Sequence, residues 1–227
     1  FLRDATGQRL RAAFGARPTG TVVWTQPYGS WGKSDRDGGA ASMDHSSGGV
    51  FIGADAPLSD DWRLGVLAGY GQTSVDIDDR HASGSSDDYH LGVYSGRRWD
   101  ALRVSAGLGY SWHDIETDRQ VGFDNFQQTL RGDNRADTVQ VFAEAGYRVA
   151  TGAVDLEPFA GLARVRLSSD GGDERGGSAA LSDGGQTTDA TFSTVGVHAG
   201  AGLGVSGVPA RLRGTLGWRH AFGDTDT

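Results

Sequence analysis

Leu102-Arg103-Val104-Ser105-Ala106-Gly107-Leu108-Gly109-Tyr110-Ser111-Trp112-His113 is the stretch on which the fold turns. Its even positions are Leu102, Val104, Ala106, Leu108, Tyr110 and Trp112, an apolar set that ends in two aromatics. Its odd positions are Arg103, Ser105, Gly107, Gly109, Ser111 and His113, all polar or glycine. A period of two with such different sets requires an extended strand whose two faces meet different environments.

Outward from this stretch the pattern repeats. Val139, Val141, Ala143, Ala145, Tyr147 and Val149 alternate with Gln140, Phe142, Glu144, Gly146 and Arg148. Leu64, Val66, Ala68 and Tyr70 alternate with Arg63, Gly65, Leu67, Gly69 and Gly71, and Leu212, Leu216 and Trp218 with Arg211, Arg213, Thr215, Gly217 and Arg219. Nine such segments are predicted, near 21–33, 47–57, 62–75, 88–98, 101–116, 137–149, 153–167, 190–203 and 209–222. Several are longer than the roughly 5–6 residues of an ordinary strand, and long enough for a tilted strand to cross a bilayer.

The connections alternate as well. Ser59-Asp60-Asp61, Trp99-Asp100, Ala150-Thr151-Gly152 and Gly204 to Val208 are tight; the others, such as Asp76 to Asp87 and Ser168 to Asp189, are long and rich in Asp, Gly and Ser. Short turns on one side and long loops on the other are the pattern of outer-membrane barrels. Trp62 and Trp99 then flank short turns while Tyr70, Tyr110, Trp112 and Trp218 lie toward the long-loop ends, an aromatic girdle rather than the core of a β-sandwich. The inward charges Arg63, Arg103 and Arg148 with Asp55, Glu144 and Glu157 suggest a mutually paired lumen. Arg63, Arg103, Glu144, Arg148, Arg211, Arg213 and Arg219 are the expected pore-lining residues.

Composition is compatible with this. The 227 residues include 37 glycines and no cysteine, and 21 basic against 29 acidic residues give a net charge of -8. The absence of cysteine excludes disulfides and thiolate chemistry, and the acidic balance argues against nucleic acid. No window approaches the roughly 18 apolar residues of a membrane helix, a test blind to β-barrels. Phe1 is preceded by no initiator Met and starts no signal peptide, so an excised piece is expected. The proline-free stretch Leu2 to Phe14, basic through Arg3, Arg9 and Arg11, is predicted as a helix that Gly15 to Gly20 break. Frayed terminal helix and pore plug are both open to it.

Chemical motifs are weak. Gly202-Leu203-Gly204-Val205-Ser206-Gly207 matches a dinucleotide fingerprint in form, but a strand follows in place of the phosphate-binding helix. Gly32-Lys33-Ser34 lacks the first glycine of a P-loop, and no nucleophile elbow or HExxH occurs. His45, His81, His90, His113, His198 and His220 are scattered singly, so no metal site is assigned. Asp35-Arg36-Asp37-Gly38 and Asp170-Gly171-Gly172-Asp173 read as solvated loops without a full calcium loop. The acidic run Asp76, Asp78, Asp79, Asp87 and Asp88 reads as a soluble external rim. No catalytic residue and no cofactor are assigned.

An ordered series of motifs carries a resemblance. Gly49, Gly53 and Asp55 are followed by Trp62 with Gly69-Tyr70, then Tyr89 to Tyr94, Tyr110-Ser111-Trp112-His113-Asp114, Leu156-Glu157-Pro158-Phe159-Ala160 and Gly217 to Asp224. Over residues 21–227 the chain resembles the C-terminal translocator β-domain of monomeric type V autotransporters, of the kind attached to subtilisin-like or esterase passengers. The resemblance implies an all-β, transmembrane, antiparallel up-and-down barrel of twelve strands in a Gram-negative outer membrane, with an N-terminal α-helix in the pore. It favours the plug reading and divides the chain into residues 1–20, pore helix and linker from the passenger, and residues 21–227, the barrel. It implies secretion and surface anchoring of an N-terminal passenger by a non-enzymatic, monomeric barrel. The partners it implies are outer-membrane lipid, the passenger itself, barrel-assembly machinery and periplasmic chaperones. Nine strands against twelve, and no terminal aromatic, lead us to expect a C-terminally incomplete piece. Residues 1–20 contain no Asn, so the Asn-based in-pore cleavage of some members is unsupported. The rival functions are a passenger-less pore or adhesin barrel and a soluble β-sandwich or propeller binding module.

Overall fold

A computed structural model describes residues 1–16, 18–34, 43–77, 82–123, 126–152, 154–205 and 208–222, apart from the side chains of 34, 123, 126, 183, 203–205 and 208–211. One helix, α1 (Leu2–Ala16), precedes the strands. They are β1 (Val22–Ser34), β2 (Met43–Ser59), β3 (Trp62–Ile77), β4 (Ala82–Trp99), β5 (Leu102–Phe123), β6 (Phe126–Tyr147), β7 (Val149–Thr151), β8 (Val154–Ser169), β9 (Gly172–Asp173), β10 (Ser182–Asp183), β11 (Gln186–Val205) and β12 (Val208–Phe222). Nine long strands form one antiparallel path, β1-β2-β3-β4-β5-β6-β8-β11-β12, each beside its neighbour in sequence. Short β7 continues β6 in the same register against β8, since Gly146 faces Phe159 and Val149 faces Leu156, with Arg148 interrupting the ladder.

The alternation in sequence becomes two faces. Leu64, Val66, Leu108, Val141, Leu162 and Leu216 are exposed on the outside. Phe51, Arg63, Leu67, Tyr94, Arg103 and Phe142 are buried on the inside. Inner aromatics lie over glycines of the next strand, where a side chain would collide: Tyr94 faces Gly65 and Gly107, Phe142 faces Gly107, and Phe51 faces Gly69. Inward glycines thus accommodate large rings on a concave wall without splaying the strands.

The strands run further than expected at the long-loop side. Ladders expected to end by 75 and 116 continue to Ile77↔Ala82 and Phe123↔Phe126. There Ser, Thr and Asp occupy both faces; beyond the hydrocarbon, water solvates either face and the backbone ladder needs no apolar side. The expected loop Ser168 to Asp189 contains the paired strands β9 and β10. Asp35 to Gly38, Asp78, Asp79 and His81 lie outside the described residues. Gly202 and Gly204 lie in β11, with Gly204 facing Pro209 of β12, so these two fingerprint-like glycines sit in a hairpin ladder, and Gly207 lies outside the described residues. Lys33, from the P-loop-like triplet, pairs with Asp44 across β1 and β2.

Candidate functional site

The helix forms where composition allows it. Leu2 to Ala16 contain no proline, Asp4 lies in the first turn, and Thr6 Oγ1 donates to the Arg3 carbonyl. At its C-terminus, where carbonyls lack intrahelical partners, Arg98 Nη1 of β4 donates to the Phe14 carbonyl at 2.8 Å. Leu2, Ala5, Leu10, Ala13 and Phe14 are buried, at spacings that place them on one stripe.

That stripe lies on glycines of the sheet's concave face. A Cβ at Gly96 would stand 2.9 Å from Leu10 and 3.1 Å from Phe14, and one at Gly109 would stand 2.9 Å from Leu2. The helix direction follows. Its N-terminal residue Leu2 meets mid-strand Gly92 and Gly109, whereas Phe14 meets Gly96 and Arg98 near the short turn at Asp100. Residues 18–21 then lead into β1, whose first residue, Val22, faces Asp55 close to the short turn after Ser59. The chain therefore descends the concave face toward the short turns and reverses into the first strand.

Two ion-pair clusters fix the helix to the wall. Asp55 on β2, 2% exposed, accepts from Arg9 of the helix through Nε and Nη2, and from Arg63 Nε of β3 at 2.7 Å. Tyr94 Oη donates to the same carboxylate at 3.1 Å and accepts from Trp24 Nε1 at 2.8 Å. Arg63 also donates to the carbonyls of Pro18 and Gly20, so one guanidinium holds both the wall carboxylate and the linker after the helix. In the second cluster, Glu144 Oε1 of β6 accepts from Arg11 Nη1 at 3.1 Å and from Arg103 Nη2 at 2.8 Å. Arg103 also donates to Glu157 Oε1 of β8 through Nε and Nη2. Arg11 Nη1 lies 2.9 Å from His198 Nε2 of β11. A guanidinium can only donate, so Nε2 accepts and the His198 ring proton sits on Nδ1, facing Thr215 Oγ1 at 2.8 Å.

Helix side chains thus touch β1 (Gln8 with Gln26), β2, β6 and β11. Strands so far apart in one sheet reach a single helix only if the sheet curls around it. The concave face is a lumen and α1 its contents.

Beyond the helix N-terminus lies a third polar layer. Asp88 accepts from Ser86 and Thr73 and faces His113 Nδ1 at 2.6 Å, while His90 bridges Ser111 and Tyr28. Higher still, the segment around β9 and β10 packs on inward residues of β5 and β6, where Arg119 pairs with Glu174 and Gln128 Oε1 accepts from the Ala179 amide, while the backbones of Arg131 and Arg175 exchange hydrogen bonds. These contacts with Arg119 and the Leu181 amide hold the Glu174 carboxyl below the usual carboxylate range.

Each expected residue has a place. Arg63, Arg103 and Glu144 converge on the two clusters through Arg9 and Arg11. Arg148, expected in the paired lumen, pairs with Asp155 near the short-turn end, beside a cavity of about 400 Å³ that Arg213 also lines. Arg3 pairs with Asp4 and, with Arg219, lines a second cavity of about 470 Å³. The Arg211 side chain lies outside the described residues. Trp62, Trp99, Tyr70, Trp112 and Trp218 are exposed on the outer face and Tyr110 is half-buried. Glu144, Glu157 and His198 come within 4.8 Å of one another, a grouping of metal-ligand types that their sequence spacing hides. Their facing atoms are taken by Arg11 and Arg103, which makes the group an ion-pair network. Tyr94 and Trp24 escaped sequence reasoning; each is an inward aromatic opposite a glycine, a signal visible only once register is known.

Residues 23–227 match the autotransporter β-domain family. The chain belongs to that family. An extracellular serine protease of Serratia marcescens is 38% identical over 229 residues, covering 98% of this chain and 22% of the relative, and a second from the same organism is 37% identical over the same shares. The chain thus spans about a fifth of the length of the curated relatives it matches. Among solved structures, the translocator domain of the autotransporter NalP from Neisseria meningitidis has a TM-score of 0.66 at 17% identity, covering 98% of this chain and 85% of that one. The β-domain of the Bordetella autotransporter BrkA has a TM-score of 0.70 at 22% identity, covering 89% and 80%. Both share the fold. As an autotransporter β-domain, this chain is an antiparallel outer-membrane β-barrel with lipid on its exposed face and α1 inside, and it serves translocation to the cell surface.

Proposed function

We propose that this barrel secretes and anchors a serine-protease passenger that precedes α1 in the same polypeptide. The observation that carries the reading is the helix direction: its C-terminal end reaches the short turns and feeds β1, so sequence before Phe1 continues toward the long-loop side. In outer-membrane barrels short turns are periplasmic and long loops external, which puts the preceding chain outside the cell. The Serratia relatives, named extracellular serine proteases and about five times longer, supply the passenger class.

On this reading residues 1–20 are the pore segment and residues 21–227 the barrel. The lumen residues Arg63, Arg103, Glu144, Arg148, Arg211, Arg213 and Arg219 line the path of the passenger. Trp62, Tyr70, Trp99, Tyr110, Trp112 and Trp218 seat the barrel at the two interfaces. The barrel works as a monomer and is inserted by the barrel-assembly machinery after periplasmic chaperones deliver it. Mechanically, the wall offers exchangeable ion pairs and glycine grooves in place of a continuous apolar surface. A passing polypeptide can trade these contacts for water, and the final segment locks where Arg9 and Arg11 meet Asp55 and Glu144.

Expression of the full-length protein with and without residues 21–227 tests this. The complete protein should show proteolytic activity on intact cells, and the truncated one should leave its passenger in the periplasm. Surface activity from the truncated protein would overturn the proposal.

A further inference from the structure

Two neighbouring arginines project from the outer wall of β8 above its apolar band. Arg164 and Arg166 project outward from β8, side chains 68% and 57% exposed, on the face that carries Leu162. Arg164 lies ten residues along β8 from Val154 at the short-turn end. At about 3.3 Å per residue and a tilt of roughly 40°, that is about 25 Å above the inner boundary, the height of a barrel's apolar band. The outer aromatics mark the same level independently: Trp112 is ten residues beyond Leu102, Trp218 ten beyond Val208, and Tyr89 ten before Trp99. Both guanidinium groups therefore sit at the external headgroup layer.

Their surroundings are amphipathic in the same order. A groove of about 950 Å³ on the outer wall is lined by Ala106, Val141, Ala143 and Leu162 and topped by Arg164 and Arg166. Two small alanines between larger apolar neighbours make an apolar slot. At the top, both arginines share one carboxylate, Asp189, at 2.8 Å from Arg166 and 3.7 Å from Arg164. Two cations against one anion leave a net positive head above an apolar trough.

We propose that this groove binds a phosphorylated glycolipid of the outer leaflet, with an acyl chain in the alanine-floored slot and a sugar phosphate on Arg164 and Arg166. Guanidinium groups recognise phosphate through paired N–H donors. The proposal rests on the outward face meeting the outer membrane, and heat-modifiable gel migration checks that premise separately in every variant.

The test uses the full-length protein in mild detergent, with native mass spectrometry of bound bis-phosphorylated lipid A, its bis-dephosphorylated form, and phosphatidylglycerol as probes. The bis-phosphorylated form should bind at least about tenfold more tightly than either of the others. Arg164→Gln with Arg166→Gln should lose about tenfold of that affinity while keeping heat-modifiable migration, and the corresponding double Lys variant, which keeps the charge but not the paired donors, should fall between the parent and the double Gln variant. Equal binding of the dephosphorylated form, equal binding of phosphatidylglycerol, or unchanged affinity in a correctly inserted double Gln variant would each overturn the proposal.

Discussion

Replacing Asp55 by Asn should release the pore helix, and the size of the effect can be worked from the site. The carboxylate is buried, and it accepts from Arg9 of the helix and from Arg63 and Tyr94 of the wall. Asn keeps the shape and one carbonyl oxygen but removes the charge that two guanidinium groups share. Removing one partner of a fully buried ion pair costs roughly 3–5 kcal/mol, and a hydrogen bond to a charged group contributes about 1.5–3 kcal/mol. The Arg9 side chain is 13% exposed, so water in the lumen recovers part of this. We therefore expect a loss near the lower figure, about 2 kcal/mol, which is roughly a 30-fold shift toward the undocked helix. Recording single-channel currents from the full-length protein in planar bilayers reads that shift as a higher open probability. Arg9→Gln should raise the open probability similarly, and the double variant should add little, because both act through one contact. Fully additive effects, or an Asp55→Asn channel as closed as the parent, would refute the view that this pair seats the helix.

The other expectations follow from the same two faces. Leu108→Arg places a charge near mid-bilayer, six residues beyond Leu102, and should cost about 2–4 kcal/mol of folding stability in liposomes, whereas Gly200→Ser, on the inward face of β11 where a Cβ would meet nothing closer than 3.9 Å, should chiefly alter the lumen. Equal losses would reverse the facing assignment. Gly96→Val pushes methyl groups into Leu10 and Phe14, and an overpacking cost of about 1–3 kcal/mol should displace the helix and open the pore without preventing barrel insertion, read by the same currents and gel migration. Glu174 has a folded-state carboxyl pKa below its unfolded value, so its contribution is present above the ordinary carboxylate range and lost as pH falls through the lowered one. Limited proteolysis at the β9–β10 segment should therefore accelerate on strong acidification, and Glu174→Gln should make that rate independent of pH.

Alternation made the barrel legible, because lipid on one side and a polar lumen on the other impose a contrast at every second residue. Leu102 to His113 alone gave the facing of β5, and the nine segments coincide with nine long strands. Strand ends toward the outside were less legible: once both faces meet water, as from Asp114 to Gln120, the pattern that reveals a strand disappears while the backbone ladder continues. The lumen was partly legible. Inward Arg63, Arg103 and Glu144 follow from parity, but the pairing of Arg9 with Asp55, and of Arg11 with Glu144 and His198, spans 46, 133 and 187 residues. Such meetings depend on register and curvature, which no local pattern records. Arg148 shows the converse, having the expected parity yet standing beside the short turn where Asp155 meets it first.

The account stands or falls on which end of the barrel faces outward. These 227 residues contain no cysteine, so a cysteine introduced here reports without background from this domain, and labelling of the parent full-length protein supplies the background of the rest. Asp60→Cys at the short turn after β2 and Glu116→Cys on the external extension of β5 can each be placed in the full-length protein and treated, on intact cells, with a membrane-impermeant maleimide. The account predicts labelling of Glu116→Cys and protection of Asp60→Cys until the outer membrane is permeabilised. Labelling of Asp60→Cys on intact cells, with Glu116→Cys protected, would contradict it.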